Sequence, residues 1–293
     1  MDEALATFQD ARPRLFGIAY RMLGTATEAD DVVQDAWLRW QSADRDAVRE
    51  PGAFLATTVT RLAINQLESA RVRRETYVGP WLPEPVATEH DPELGAERAE
   101  ALEFAMVLLL ERLTPAERAA YVLHEAFDYP YRQIAEVLET SEANARQLGT
   151  RARAHLERER GVTVSPADRE RLLGAFLAAA QDGDVEQLES LLAEDAITIS
   201  DGGGIVSAAR KPVLGRHRVA AFVSGLVHKF GVGTVIEPAI ANGQPGFIAW
   251  RDGAPDAFLT VDIAPEGVRR ILLVRNPEKL ERLAVTLRAA TRS

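Results

Sequence analysis

The sequence has no cysteine among its 293 residues. This absence excludes disulfide bonds, thiolate metal sites and cysteine nucleophiles. Long apolar runs are missing too, since the longest, residues 104–110, falls far below the ~20 residues that a membrane span needs. The N-terminal segment MDEALATFQD is acidic and lacks the apolar centre of a signal peptide. We therefore expect a soluble, cytoplasmic protein.

An excess of positive charge is also lacking, because the formal net charge is −10. Residues 1–160 carry almost all of this negative charge, with a net charge of −9. Within this acidic half, arginine is concentrated in two places, residues 61–74 and residues 142–157. Such segregation suits a protein that touches DNA with small patches while a larger partner supplies most of the DNA contacts.

Residues 114–155 form the most informative stretch. Thr114, Pro115 and Glu117 predict an N-cap, a first-turn proline and a capping-box acid for a helix that reaches about Phe127. A second helix is predicted over residues 130–138, and Ser141 can cap a third over residues 142–159. Two short helices across a tight turn, the second rich in arginine, are typical of a helix-turn-helix.

The third helix of this stretch has two distinct faces. Ala145, Leu148, Ala152 and Leu156 make one apolar stripe. The remaining surface carries amide, hydroxyl and guanidinium groups, which pair with base edges and phosphates. These candidate DNA-binding residues are Asn144, Arg146, Gln147, Thr150, Arg151 and Arg153.

Residues 10–41 predict two amphipathic helices separated by Gly24, with Thr27 as a candidate cap of the second. The second helix places Asp31, Gln34 and Asp35 away from its apolar stripe. A long helix is then expected over residues 53–74, with one polar face that ends in a basic cluster. The candidate residues of that face are Thr57, Arg61, Asn65, Arg71, Arg73 and Arg74.

Residues 75–96 are predicted to form a linker. Within it, the motif WLPEP places Trp81 beside prolines, which predicts a stiff segment with an exposed apolar side chain. Beyond a second short linker, the pattern becomes ααβ(β)αββββ, in which residues 196–201 and 205–210 are expected to be strands around a glycine turn. This order predicts an α+β cone. A last helix follows the dipeptide Asn276-Pro277.

These pieces resemble an extracytoplasmic-function sigma factor of bacterial RNA polymerase. DDVVQD (30–35) is similar to the acidic helix of sigma region 2 that docks on the polymerase, FLATTVTRLAINQL (54–67) to the segment that melts and reads the −10 element, and residues 114–153 to region 4, which reads the −35 element. Residues 165–281 resemble a SnoaL-like domain of the NTF2-like superfamily, which one subgroup of these factors carries.

The resemblance implies a multidomain protein: an all-α region 2 domain (1–74), a linker (75–96), an all-α region 4 helix-turn-helix domain (97–160) and a SnoaL-like cone with a tail helix (165–293). It implies core RNA polymerase, through its beta-prime clamp and beta flap, and promoter DNA as partners. The clamp would meet Asp31, Gln34 and Asp35. Gly149 departs from the pattern, and we expect it to loosen the recognition helix.

Three motifs of that subgroup imply regulation in cis. They comprise Trp81, Leu82 and Pro83 of WLPEP, then Asp201, Gly202, Gly203 and Gly204 of DGGG, and Asn276, Pro277, Lys279 and Leu280 of NPEKL. We expect DGGG to form a flexible turn with exposed amides. We also expect Trp81 to dock on a surface made by the 201–204 loop and the 276–287 helix.

Two other functions stay open. The cone could be a SnoaL-like enzyme using Asp195, Asp201, Asp256, Asp262, His217 or His228, or it could bind a small molecule without chemistry. Alternatively, the chain could be a ligand-sensing helix-turn-helix regulator that works without polymerase. We expect no catalytic activity, no cofactor and no metal, because no nucleotide-binding loop appears and the histidines are scattered.

Overall fold

The computed structural model describes residues 3–88, 103–158 and 164–291. The chain divides into two compact units, one made of Met1–Glu75 with Asp91–Arg160 and the other of Thr76–His90 with Gly161–Ser293. None of the helices in the described ranges is both long and apolar enough to cross a membrane.

The first unit begins with three helices: α1 (Glu3–Leu23), α2 (Ala26–Ser42) and α3 (Pro51–Glu75). The apolar stripes of α1 and α2 are buried, and Trp40 donates its indole N–H to the carbonyl of Ala4 at 3.0 Å. The predicted cap Thr27 is wrong, since Thr25 is the N-cap of α2. Gly24 ends α1 with a φ of 75°. The next helix, α2, begins at Ala26, directly after its N-cap Thr25.

Four helices complete the first unit: α4 (Phe104–Leu110), α5 (Pro115–Tyr121), α6 (Tyr131–Val137) and α7 (Glu142–Glu157). The helix predicted to run from residue 114 to 127 changes at Val122 into a wider turn over Val122–Ala126. This turn closes when Tyr129 donates its N–H to the carbonyl of Leu123 at 3.0 Å. Residues 89–102, which include the end of the predicted linker and the start of the predicted region 4 domain, lie outside the described residues.

The second unit contains helices α8 (Pro166–Asp182) and α9 (Val185–Leu191), strands β1 (Leu192–Asp201) and β2 (Val213–Leu214), and helix α10 (Arg216–Phe230). Strands β3 (Thr234–Ala241), β4 (Gln244–Arg251), β5 (Ala254–Ala264) and β6 (Gly267–Val274) and helix α11 (Pro277–Thr291) follow. The sheet order is β2-β1-β6-β5-β4-β3, and all pairs are antiparallel except β1 with β6.

The core of the second unit lies between this sheet and the helices α8, α9 and α10. Phe176, Leu188, Val219 and Val261 meet there, each less than one-tenth exposed. The α+β class predicted for this domain is therefore confirmed.

The strand predicted over residues 205–210 is wrong. The glycines before it continue as a turn, in which Ile205 and Val206 both donate their N–H to the carbonyl of Gly202. The segment then passes along the surface, where the Ser207 carbonyl accepts a hydrogen bond from Arg275 at 2.7 Å. A strand forms only at Val213–Leu214, after Pro212.

Candidate nucleic-acid interface and linker-binding site

The recognition helix α7 is positioned by two side-chain caps. Thr114 and Glu117 form a reciprocal capping box at the start of α5. Ser141 accepts a hydrogen bond from the N–H of Asn144 at 3.2 Å and thereby starts α7. The predicted apolar stripe of α7 is buried, which turns the opposite face outward.

All six side chains predicted for the −35 element are exposed on α7. Three of its arginines are held by acidic partners rather than left mobile. Arg151 donates to Glu117 at 3.1 Å, Arg146 donates to Glu142 at 3.0 Å, and Arg153 pairs with Glu125. These ion pairs orient three guanidinium groups along the exposed face of α7.

Gly149, which the sequence analysis expected to loosen the recognition helix, lies inside an unbroken helix and against the Tyr131 side chain. A Cβ at this position would lie 2.8 Å from the Tyr131 hydroxyl oxygen and 3.0 Å from its ring carbon Cε1. The Tyr131 ring also stacks on the His124 ring, at 4.1 Å between centroids, and the guanidinium of Arg146 lies over it at 5.0 Å from the centroid. Glycine therefore permits close packing between α6 and α7.

Glu117 connects the cap of α5 with the recognition helix. Its partial burial acts to raise the pKa of the carboxyl group, but the hydrogen bonds from Thr114 and the ion pair with Arg151 outweigh that effect. The net result is a pKa below the ordinary value of a glutamate. The carboxylate is therefore charged in the folded protein and keeps Arg151 in place.

Asp31, Gln34 and Asp35 are exposed together on α2. Val32 and Ala36, on the other side of the helix, are buried against the rest of the first unit. An acidic face on a well-packed helix is suited to a basic protein partner.

The polar face of α3 divides into free and bound residues. Asn65 is exposed and Thr57 partly so, whereas Thr58 is buried and donates its hydroxyl to the carbonyl of Phe54 at 2.8 Å. Thr58, the neighbour of Thr57, therefore belongs to the core. Arg71, Arg73 and Arg74 lie in the last turns of α3, and their side chains are outside the described residues.

Arg61 does not point freely to solvent. It donates to the carbonyl oxygens of Glu136 and Val137, at 2.8 and 3.0 Å, where α6 ends. Its guanidinium also lies 3.1 Å from the carboxylate of Glu139. A cation at the carboxyl end of a helix is favourable, so this contact joins α3 to the helix-turn-helix.

Two further arginines join the same parts of the first unit. Arg118 on α5 is buried and donates to the carbonyl of Arg21 on α1 at 2.9 Å. Arg14, also on α1, donates to the carbonyl of Phe127 at 2.8 Å. Helices α1 and α3 are thus joined to the helix-turn-helix by several hydrogen bonds from arginines to backbone carbonyls, beside buried apolar side chains such as Phe127.

In the second unit, the carboxylate of Asp201 anchors the linker. Asp201 is fully buried at the end of β1. One carboxylate oxygen accepts hydrogen bonds from the Tyr77 hydroxyl at 2.6 Å and from the N–H of Gly203 at 2.9 Å. The other oxygen accepts a hydrogen bond from the N–H of Leu82 at 2.9 Å. Burial, followed by the bond to Asp201, raises the pKa of the Tyr77 hydroxyl above its ordinary value.

Lys279 on α11 completes this site. Its ammonium group lies 2.7 Å from the second oxygen of Asp201 and also donates to the carbonyl of Leu82. The same group lies over the rings of Trp81 and Tyr77, at 4.4 and 5.0 Å from their centroids. The structure thus brings the linker tryptophan onto the first turn of α11, through a lysine shared with Asp201.

The DGGG turn is ordered by its contacts rather than flexible. Gly203 and Gly204 have φ of 64° and 73°, a region that favours glycine. A Cβ on Gly203 would lie 2.5 Å from the side-chain nitrogen of Asn276, and one on Gly204 would lie 3.0 Å from Cβ of Val78. Asn276 in turn donates to the Tyr77 hydroxyl at 3.0 Å. The turn was expected to expose free backbone amides, but the N–H of Gly203 is bound to the carboxylate of Asp201, so this expectation is wrong for Gly203.

A second anchor of the linker was missed by sequence reasoning. Val86 and Asn242 exchange hydrogen bonds, and Ala87 pairs with Ala241 as an isolated bridge. Thr88 accepts from the N–H of Gly243 at 2.8 Å. The dipeptide Asn242-Gly243, a common hairpin turn, was the available signal, but nothing local identifies its partner.

The acids and histidines proposed for catalysis do not converge within the described residues. Asp201 binds the linker, Asp262 pairs with Arg270, and Asp195 pairs with Arg269. His217 is largely exposed and contacts Glu189, and His228 is exposed. Asp256 alone among the six candidates lines the cavity between sheet and helices.

Comparison with known families matches both parts of the first unit. The model of sigma-70 region 2 matches residues 7–73, which span α1, α2 and α3. The model of sigma-70 region 4 matches residues 103–156, which contain the capped helices and the recognition helix.

Comparison over the whole chain gives relatives that match along nearly their full length. The chain is 38% identical to the ECF RNA polymerase sigma factor SigJ of Mycobacterium tuberculosis, over 94% of this chain and 92% of SigJ. It is 29% identical to the probable ECF sigma factor SigI of the same species, over 98% of both chains. The crystal structure of M. tuberculosis SigJ matches with a TM-score of 0.77 and 35% identity, over 95% of this chain and 98% of that one. The chain therefore belongs to the extracytoplasmic-function family of RNA polymerase sigma factors.

Proposed function

We propose that this sigma factor directs promoter-specific initiation as a subunit of RNA polymerase, with α3 reading the −10 element and α7 reading the −35 element. The observation that carries the proposal is the exposed, cap-positioned face of α7, where six polar or basic side chains stand opposite a buried apolar stripe. Asn65 on α3 is the exposed candidate for reading a splayed base of the −10 element.

Core polymerase is the partner that the charge distribution favours. The net charge of −10 opposes tight binding to DNA alone, so the general phosphate contacts have to come from a larger assembly. Asp31, Gln34 and Asp35 offer an acidic surface for the beta-prime clamp. Region 4 is assigned to the beta flap by family resemblance. The function needs no catalytic residue in this chain.

Promoter binding requires the first unit to change. Arg61 belongs to the proposed −10 surface, yet its guanidinium is bound to the end of α6 at Glu136 and Val137. Asn65 and the α7 face are already exposed, whereas Arg61 becomes available to DNA only when this contact opens. Binding to polymerase would supply the free energy for that opening.

Run-off transcription with purified core polymerase, with and without this protein, tests the proposal directly. Asp31→Arg with Asp35→Arg should abolish co-purification with core polymerase, while Asp10→Arg at an exposed position of α1 serves as the control for reversal of an acid. Because the exposed positions carry no packing, the fold should be retained, as judged by circular dichroism. Unchanged binding to core polymerase would reject the docking surface.

Different residues should recognise the −10 element and the −35 element. Arg151→Ala should cost ~1–3 kcal/mol and relax the preference at a −35 position, and Asn65→Ala should do the same at a −10 position. Arg73→Ala should weaken all promoters alike and reduce the salt dependence. If Asn65→Ala changed the base preference at the −35 element instead of the −10 element, the assignment of α3 to the −10 element would be wrong.

We further propose that the C-terminal domain regulates the sigma regions in cis through the bound linker. The linker joins region 2 to region 4, and its residues 77–88 are tied to Asp201, Asn242 and Lys279. The freedom of the two regions to separate therefore depends on this docking.

Trp81→Ala, and separately truncation before Asn276, should each alter the rate of transcription from one promoter without changing its preferred bases. Trp81→Phe is the control, since it keeps an aromatic face for the Lys279 ammonium. If both disruptive variants fold and transcribe like the parent protein, regulation through the linker is rejected.

A further inference from the structure

Free positive charge in the C-terminal domain is confined, among the described residues, to one short segment. No aspartate or glutamate occurs between Asp201 and Glu237, although acids make up 44 of the 293 residues of the chain. This stretch contains the four cations of the domain that make no hydrogen bond, ion pair or ring contact with the described residues: Arg210, Lys211, Arg216 and Arg218. Every other described arginine or lysine of the domain has such a contact.

Together these four residues are termed the basic edge, because they flank the edge strand β2. All four are exposed, and no described strand pairs with β2 on the side away from β1. Consecutive residues advance by at most ~3.6 Å, so residues 210–218 span less than ~30 Å, which is shorter than one turn of duplex DNA at ~34 Å. One turn of duplex is therefore long enough to serve all four side chains.

Acids on the neighbouring elements are engaged with other cations. Glu189 of α9 lies 2.7 Å from the ring nitrogen Nδ1 of His217, and Asp195 of β1 lies 3.5 Å from the guanidinium of Arg269. Neither acid neutralises the basic edge, so its charge is available to a partner from outside the domain.

Stability of the fold does not explain this charge. A lysine and a proline beside an edge strand hinder pairing between the sheets of two molecules, which accounts for Lys211 and Pro212. Arg216 and Arg218, however, lie in the first turn of α10, where a cation is unfavourable to the helix dipole. Because these two arginines oppose helix stability, a partner that carries negative charge accounts for them better.

The chemistry of the basic edge favours a nucleic acid as that partner. Interfaces with nucleic acid are much more positively charged than interfaces with protein, and guanidinium groups match the geometry of phosphate oxygens. On α7, a phosphate that binds Arg146, Arg151 or Arg153 has to displace an acid from the arginine. The basic edge loses no such partner when it binds a phosphate.

We infer that the basic edge binds the phosphate backbone of promoter DNA, independently of base sequence, when this sigma factor is part of the polymerase complex. The inference rests on the proposed function, which brings the chain to a promoter. The C-terminal domain then adds phosphate contacts to those of polymerase and offsets part of the repulsion between DNA and a chain of net charge −10. This role is separate from the binding of the linker at Asp201 and Lys279.

Promoter binding by the reconstituted polymerase complex, measured over a range of salt concentrations, tests the inference. Two paired variants, Arg210→Gln with Lys211→Gln and Arg216→Gln with Arg218→Gln, should each reduce the magnitude of the slope of log K against log salt by ~1–2, the loss of one or two phosphate contacts. Affinity near ~0.1 M salt should fall ~10- to 60-fold for each pair, with unchanged base preference at both promoter elements. Arg171→Gln with Lys229→Gln removes the same charge from exposed positions of the same domain and should leave the slope unchanged.

A second titration keeps this inference distinguishable from the proposed function. The full-length protein alone, mixed at low salt with a short duplex of arbitrary sequence, should bind more tightly than either paired variant of the basic edge and about as tightly as the control pair. If the parent complex binds no promoter, the proposed function fails, and this duplex titration decides whether the basic edge binds DNA.

Three results would overturn the inference. In the first, both paired variants keep the parent slope and the parent affinity for the duplex. In the second, they weaken binding to core polymerase in the absence of DNA, which would indicate an acidic protein partner. In the third, they aggregate while their soluble fraction binds DNA like the parent, which would indicate that the charges only protect the edge strand.

Discussion

The ammonium nitrogen of Lys279 lies 2.7 Å from a carboxylate oxygen of Asp201, and both side chains are buried in the C-terminal domain. A buried ion pair contributes little net stability, because desolvation offsets most of its attraction. Here each charge also holds the linker, Asp201 through the N–H of Leu82 and Lys279 through the carbonyl of the same residue. The pair therefore fixes where the linker binds more than how stable the domain is.

Removing one partner of this pair should be strongly destabilising. Asp201→Asn leaves the Lys279 ammonium buried without its counter-charge, and Lys279→Met does the same to Asp201. Either change is expected to lower the free energy of unfolding by ~3–5 kcal/mol. Urea denaturation of the full chain, followed by circular dichroism, gives this number.

The double variant Asp201→Asn with Lys279→Met removes both charges and should recover part of the loss. The expected coupling is ~1–3 kcal/mol, as for residues within one hydrogen-bonded network. Asp262→Asn on the partly exposed pair with Arg270 is the control for a general effect of losing an acid. Strict additivity of the two single changes would show that the ion pair is not a unit.

Gly149 gives a prediction in which two opposing effects have to be compared. Alanine in a helix interior gains ~1 kcal/mol over glycine from propensity alone. At this site, however, a Cβ would lie 2.8 Å from the Tyr131 hydroxyl oxygen, and overpacking typically costs ~1–3 kcal/mol. Gly149→Ala should therefore lower the Tm and weaken −35 binding. Gly174→Ala, at a helical position with open space, is the matched control and should raise stability. A higher Tm for Gly149→Ala would mean that Tyr131 moves aside freely.

Local patterns were sufficient for the elements that the DNA-reading function requires. The capping box at Thr114 and the apolar stripe on α7 both depend on neighbours within a few residues, and both are present. The succession of helices and strands along the C-terminal domain followed from alternation between turn signals, whereas the parallel pairing of β1 with β6 did not. Where local patterns failed, at residues 205–210, a distant side chain decided the outcome, because Arg275 holds the Ser207 carbonyl outside the sheet.

The site residues that could not be predicted from the sequence are those whose bonding partners lie far away along the chain. Tyr77 meets Asp201 across 124 positions, and Arg61 meets Val137 across 76. No spacing rule links such residues, because their contact depends on how whole segments pack. Resemblance to a family indicated that WLPEP, DGGG and NPEKL matter, but it did not reveal that one lysine and one aspartate connect them.

The helix-turn-helix should lose stability in acid through Glu117. The pKa of its carboxyl group is lowered in the folded protein, so its contribution is fully present above the ordinary pKa of glutamate. That contribution disappears as the pH falls through the lower, folded value. Glu117→Gln should reduce stability by about 1 kcal/mol at neutral pH and flatten the acid limb of the pH profile. Glu142→Gln, on an exposed pair with Arg146, should change little. An unaltered acid limb in Glu117→Gln would contradict this role.

The contact between Arg61 and the end of α6 should open when the sigma factor binds polymerase. The chain has no cysteine, so Ser69→Cys with Glu142→Cys allows clean labelling of α3 and α7 with a pair of fluorophores. Transfer efficiency should be high in the free protein and should fall on addition of core polymerase, because release of Arg61 from the end of α6 lets α3 move away from the helix-turn-helix. The pair Ser42→Cys with Ser69→Cys, which lies within region 2, should show no change.

Glu139→Ala should lower the efficiency of the free protein only slightly, since its ion pair with Arg61 is exposed. If the complex forms and the efficiency between α3 and α7 stays constant, the first unit binds polymerase without opening, and Arg61 takes no part in reading the −10 element.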